Sequence, residues 1–125
     1  MNPIYWGIFI ENAPLGELVK IIEYPHITYG FKTPCPYDRV GEDYNIHCIA
    51  YGNDGNNEAL LVELPDKTID IYQGVEKPHI TLSISENGTP KDSANLDFDT
   101  PIDFILHGTI GYFGEDGEVH LKIEE

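Results

Sequence analysis

The amino-acid sequence predicts an α+β fold over a single domain, 1–125, with mainly antiparallel strands and one or two short helices in two pseudo-symmetric lobes. Three observations lead there. Glu-Tyr-Pro-His-Ile-Thr-Tyr at 23–29 returns as Glu-Lys-Pro-His-Ile-Thr-Leu at 76–82, each time in a stretch suited to a strand. Gly52-Asn-Asp-Gly-Asn-Asn separates two apolar runs, which is a hairpin signal. Helical spacing of apolar residues occurs in one place, at Leu15, Leu18, Val19 and Ile22.

Taken in order, 4–10 is an apolar strand ended by Glu-Asn-Ala-Pro. Pro14 suits the first turn of a helix, so 14–23 is predicted helical. The first Pro-His-Ile-Thr strand runs to about 32, and 33–44 is a loop punctuated by Pro and Gly. Strands at 45–51 and 58–64 form the hairpin, and 68–72 is a further short strand. The second His-Ile-Thr strand covers 79–85, and 86–100 is polar, with room for a helical turn near 92–96. Strands at 102–113 and 118–123 close the chain around Gly114-Glu-Asp-Gly.

A chain of 125 residues can bury a core without disulfides. Cys35 and Cys48 are too far apart for a CxxC motif; Cys48 reads as core and Cys35 as loop. No segment approaches the roughly 20 apolar residues of a membrane span, and Met-Asn-Pro-Ile-Tyr-Trp lacks the features of a signal peptide. A cytoplasmic protein without a membrane partner is expected. With 22 acidic and 7 basic residues the net charge is −15. That disfavours long nucleic acid, whose binding rests on Lys and Arg, and leaves a short nucleotide in a screened pocket, or an acidic decoy of nucleic acid.

In an extended strand alternate side chains share a face. His26, Thr28 and Lys32 then face one way, opposite Ile27, Tyr29 and Phe31. His79, Thr81 and Ser83 likewise oppose Ile80 and Leu82. Two such strands side by side give one cleft with two imidazoles, which can donate or accept protons near neutrality. The bland alternative is that Pro-His-Ile-Thr merely begins two equivalent strands of a duplicated fold. Lys32 and Ser83 extend the polar faces as candidate phosphate contacts. Tyr5 or Trp6 could stack on a base, with core packing the alternative for Trp6. Tyr112 and His120 could reach the cleft from the last strands, and His47 and His107 read as structural. No ordered metal-ligand spacing is apparent.

In these residues the sequence resembles the two-histidine (2H) phosphoesterases, or LigT-like proteins. The resemblance rests on two His-x-Thr motifs, each followed by an apolar residue, His26-Ile-Thr-Tyr29 and His79-Ile-Thr-Leu82. The expected order of elements also fits: an apolar strand, a helix, the first motif, and a final strand-turn-strand. The spacing between motifs is short for the family, and His120 stands near a position that is often Tyr. The resemblance implies phosphodiester chemistry without metal or other cofactor: one His as general base, the other as general acid, with Thr28 and Thr81 on the non-bridging oxygens. It implies a small or cyclic oligonucleotide, of the kind used in signalling, as substrate. Compact members resemble phage proteins that destroy the cyclic nucleotides of antiviral signalling, which would act in the host cytoplasm. Hydrolysis of 2′,3′-cyclic phosphate ends and a non-catalytic nucleotide sponge are the alternatives. A monomer or weak homo-oligomer is expected.

Overall fold

Alternation of apolar and polar side chains sets the frame. The computed structural model describes residues 3–122, and in it eight strands run in the order β1 (Tyr5–Ile10), β2 (Lys20–Ile21), β3 (His26–Phe31), β4 (Asp43–Asn53), β5 (Asn57–Glu63), β6 (His79–Ile84), β7 (Thr100–Phe113) and β8 (Val119–His120). They form one antiparallel sheet in the spatial order β2-β6-β5-β4-β7-β1-β3, with β8 added to β7. No α-helix occurs among the described residues; three 3-10 helices cover Tyr37–Arg39, Asp66–Ile71 and Pro90–Asn95.

β3 and β6 lie toward opposite ends of this order, yet the sheet curls until they approach one another. The inside of the curl is the core. Trp6 and Ile8 from β1, Ile27 and Tyr29 from β3, Ile46 and Cys48 from β4, and Ile80 and Leu82 from β6 are all buried there. Each faces inward because every second residue of its strand does so. The repeat is expressed inside this one sheet as two equivalent strand pairs. In β1–β3, Phe9 opposes His26 and Gly7 opposes Thr28, with a bulge between Trp6 and Gly7. In β5–β6, Leu61 opposes His79 and Ala59 opposes Thr81, with a bulge between Glu58 and Ala59. Even the entries match: Ile10 N donates to the Pro25 carbonyl at 2.9 Å, and Val62 N to that of Pro78 at 3.1 Å.

The hairpin turns where expected, at 54–56, with the Asp54 carboxylate accepting from the amides of Asn56 and Asn57. Two predicted elements do not form. Residues 14–23 are not helical: Leu15 and Val19 are 81% and 68% exposed, and the segment runs along β6, ending as β2. Its amides are claimed from a distance. Glu17 N donates to the Glu58 carboxylate (2.8 Å), Leu18 N to Ser83 Oγ (3.1 Å) and Ile22 N to the Leu82 carbonyl (3.0 Å). Gly16 weakens any competing helix, and a Cβ at position 16 would collide with Ser83. Residues 68–72 are not a strand either. Thr68 turns back on Pro65 through both its amide and its hydroxyl, and the Tyr29 phenol donates to Thr68 Oγ1 at 2.6 Å. The predicted last strand is paired only at Val119–His120; its end at Ile123 lies outside the described residues.

Cys35 is a loop residue as expected but is buried, and both cysteines are free thiols. None of the described helices is long and apolar enough to cross a membrane.

Glu58 is the polar centre of the β2 end. It is 2% exposed and accepts from Glu17 N, Ser83 Oγ and the Tyr51 phenol. Burial pushes its carboxyl up, but the bonds from Ser83, Tyr51 and the Glu17 amide outweigh it and hold the group below its usual value. The stabilisation is present above the unfolded value and is lost as pH falls through the lower folded one. Because hydrogen bonds to an ion are worth more than neutral ones, Glu58→Gln is expected to cost about 2–3 kcal/mol in urea unfolding. It should also speed hydrogen exchange at the amides of Glu17 and Leu18; unchanged exchange there would contradict this account of the segment.

Candidate active site

The outward sides of β3 and β6 line one cavity of about 980 Å³, and His26, Thr28, His79 and Thr81 all open onto it. The strand parity responsible is the same one that buries Ile27 and Ile80. The volume is at the upper end of that of small-molecule sites.

Each histidine is anchored in the same way. His26 Nδ1 lies 2.8 Å from the Tyr24 carbonyl, and His79 Nδ1 lies 2.8 Å from the Lys77 carbonyl. A carbonyl can only accept, so Nδ1 carries the hydrogen in both rings. Nε2 is then the nitrogen that exchanges protons, and among the described residues nothing bonds it in either ring. The intervening Pro25 and Pro78 fix this geometry, since proline locks its own φ and holds the preceding residue extended.

The surroundings of the rings differ. Tyr5 stacks on His26, with centroids 4.4 Å apart and planes at 15°, and Phe9 lies at 5.3 Å. His79 has Phe98 at 6.4 Å. Burial pushes the His26 pKa down; the Tyr24 carbonyl opposes this, and charge on His79 lowers it further. Burial likewise lowers His79, against the Lys77 carbonyl.

Among the other predicted site residues, Tyr5 lines the cavity. Trp6 does not: it is 1% exposed in the core, with its indole N–H donating to Thr33 Oγ1 at 3.1 Å. Lys32 adopts φ 56°, which turns it off the strand, and its ammonium lies over the Phe31 ring instead of in the cavity. Ser83 keeps the parity of His79 and Thr81 but is covered by the 16–18 segment, where it bonds Glu58 and Leu18. Tyr112 and His120 stack on each other, with centroids 4.7 Å apart, outside the cavity, and His120 Nε2 lies 2.8 Å from Asp116. Their neighbour Phe113 faces inward instead.

Residues not anticipated also line the site. Tyr24, Phe31, Tyr72 and Phe113 give it aromatic walls; Phe31, expected in the core, is 60% exposed. Gln73 and Gly74 close one side, where Gln73 N donates to the Tyr29 carbonyl at 2.8 Å. A Cβ at Gly74 would meet the Thr28 carbonyl at 2.6 Å, so only glycine permits this approach. Lys91 and Glu23 are the charged residues of the wall apart from the histidines. Placement beside the two motifs was the available signal for Glu23, Tyr24 and Phe31; Tyr72 follows the Asp66–Ile71 helix, in a stretch expected to be a strand, and Lys91 lies in the Pro90–Asn95 helix, with no pattern to mark it.

His47 is held between carboxylates from both neighbouring strands, Glu63 at Nδ1 and Asp103 at Nε2. These bonds, Asp103 first, raise its pKa. Comparison with known proteins finds no matching family model and no matching curated protein.

The histidines thus fall into two classes with opposite linkage. His26 and His79 have folded values below the unfolded value of about 6.5, so the unfolded chain binds more protons and their contribution is lost as pH falls from there. His47, with a raised folded value, contributes fully below about 6.5 and loses that contribution as pH rises through its folded value. NMR titration of the histidine C2–H signals is expected to give midpoints below 6.5 for positions 26 and 79 and above it for 47. The reverse order would overturn the assignment of environments.

Proposed function

We propose that this protein is a two-histidine phosphodiesterase of the 2H type, cleaving a small or cyclic oligonucleotide without a metal. The observation that carries the reading is the paired anchoring: two imidazoles, each fixed at Nδ1 by the carbonyl two residues earlier, present Nε2 to one cavity. A structural histidine has no need of a duplicate with the same tautomer on a strand that is not its neighbour in the sheet.

In this reading one neutral imidazole takes the proton from the attacking hydroxyl, a ribose 2′-OH or a water, as its oxygen bonds to phosphorus. The other, protonated at Nε2, gives its proton to the leaving oxygen as that P–O bond breaks. The base ends protonated and the acid neutral, ready to exchange roles in a following hydrolysis. Thr28 and Thr81 donate to the non-bridging oxygens, where charge accumulates. The aromatic walls suit nucleobases, which stack on any π-face. A single lysine in the wall of a chain with net charge −15 suits a ligand with few phosphates.

Incubation with a panel of cyclic di- and trinucleotides and 2′,3′-cyclic phosphates, followed by chromatography, tests the reading. Retention of ligand without products would make the protein a sponge instead. His26→Ala or His79→Ala is expected to lower kcat by about 10²–10⁴-fold each while leaving circular dichroism unchanged. EDTA is expected to have no effect; activity lost in chelator and restored by Mn²⁺ would sink the mechanism. Since one ring must be neutral and the other charged, kcat/KM is expected to follow a bell. Both values are depressed, so its maximum falls below pH 6.5, and the two limbs belong to the coupled pair.

A further inference from the structure

Thr28 and Thr81 are equivalent in sequence and differ in support. Among the described residues no group holds the Thr28 hydroxyl. Thr81 Oγ1 donates to Ser93 Oγ across 2.9 Å. Ser93 is fully buried in the Pro90–Asn95 helix, and behind it lies Asn57, 2% exposed at the start of β5. Asn57 Nδ2 donates to the Thr89 carbonyl at 2.8 Å and to Ser93 Oγ at 3.0 Å. Because the Thr89 carbonyl can only accept, the Asn57 amide has one possible orientation, and the atom facing Ser93 is a donor.

We propose that Asn57 and Ser93 form a buried relay that makes Thr81 a hydrogen donor to a bound phosphate; they are positioning residues. The inference rests on the phosphodiesterase reading above. Two hydroxyls in contact share one hydrogen, and rotation about either C–O bond changes which of them supplies it. Ser93 receives from Asn57, so its own hydrogen is available to Thr81. When a phosphate oxygen takes the Thr81 hydrogen, Ser93 turns its hydrogen onto Thr81 Oγ1, and the chain runs Asn57 to Ser93 to Thr81 to phosphate with every step a donation. Such a chain polarises each successive hydroxyl, and the terminal one points where charge develops. Among the described residues only the half carrying His79 has this device, so the two threonines do unequal work.

The test is a double-mutant cycle. Ser93→Ala is expected to reduce kcat/KM about tenfold in the wild-type background, the value of one ordinary hydrogen bond, and to do nothing further in a Thr81→Ala background. In Thr81→Ser, which keeps the hydroxyl, sensitivity to Ser93→Ala should return. The pH profile should keep its limbs in all of these variants. Equal losses from Ser93→Ala with and without the Thr81 hydroxyl would mean a merely structural role and overturn the relay, as would a Ser93→Ala enzyme with full activity. Should no diester be turned over by the wild type, the phosphodiesterase reading fails by itself. The same cycle is then read as inorganic phosphate affinity, from NMR shifts of the His79 C2–H: coupling between positions 81 and 93 supports the relay, and additivity overturns it.

Discussion

Two main-chain carbonyls govern the site. Those of Tyr24 and Lys77 each hold an imidazole at Nδ1, and each is separated from its histidine by a proline. The proline lacks an N–H and has a fixed φ, so the carbonyl two residues before the histidine is set by covalent geometry more than by packing. The proline's own carbonyl is then free to enter the sheet ladder, and both do so, at Ile10 and at Val62. The repeated tetrapeptide is thereby explained residue by residue: Pro aims the carbonyl, His receives it, Ile anchors the strand in the core, and Thr returns to the cavity.

Equivalence ends beyond the tetrapeptides. Around His26 the neighbours are rings, with Tyr5 between it and Phe113, whose planes differ by 7° from those of Tyr5. Around Thr81 they are buried polar groups, Ser93 and Asn57. A duplicated frame has been filled with an apolar wall on one side and a hydrogen-bonded one on the other. Acid–base groups with the same intrinsic chemistry are separated in this way by environment.

The strands were largely legible in the sequence because their burial follows a period of two, and the two motifs were legible because they repeat. What was not legible depended on partners distant in sequence. The apolar spacing of Leu15, Leu18, Val19 and Ile22 is helical, yet the amides there are taken by Glu58 and Ser83, far along the chain. The misplacement of Ser83 has the same origin, since the segment expected to be a helix is what covers it. Lys32 has the parity of the cavity face and leaves it through a positive φ that parity cannot register. Ser93 and Asn57 sit in a polar stretch and at a hairpin end, where no periodicity marks a residue as buried.

The strands bearing the histidines are not joined by a ladder; at the Tyr29 carbonyl β3 accepts instead from the amide of Gln73, in the segment that leads into β6. The curled sheet is thus an arch whose two feet meet without rungs. A molecule gripped from both sides would serve as its keystone, tying together ends that the backbone leaves apart. Occupancy of the cavity would then be coupled to the curvature of the sheet.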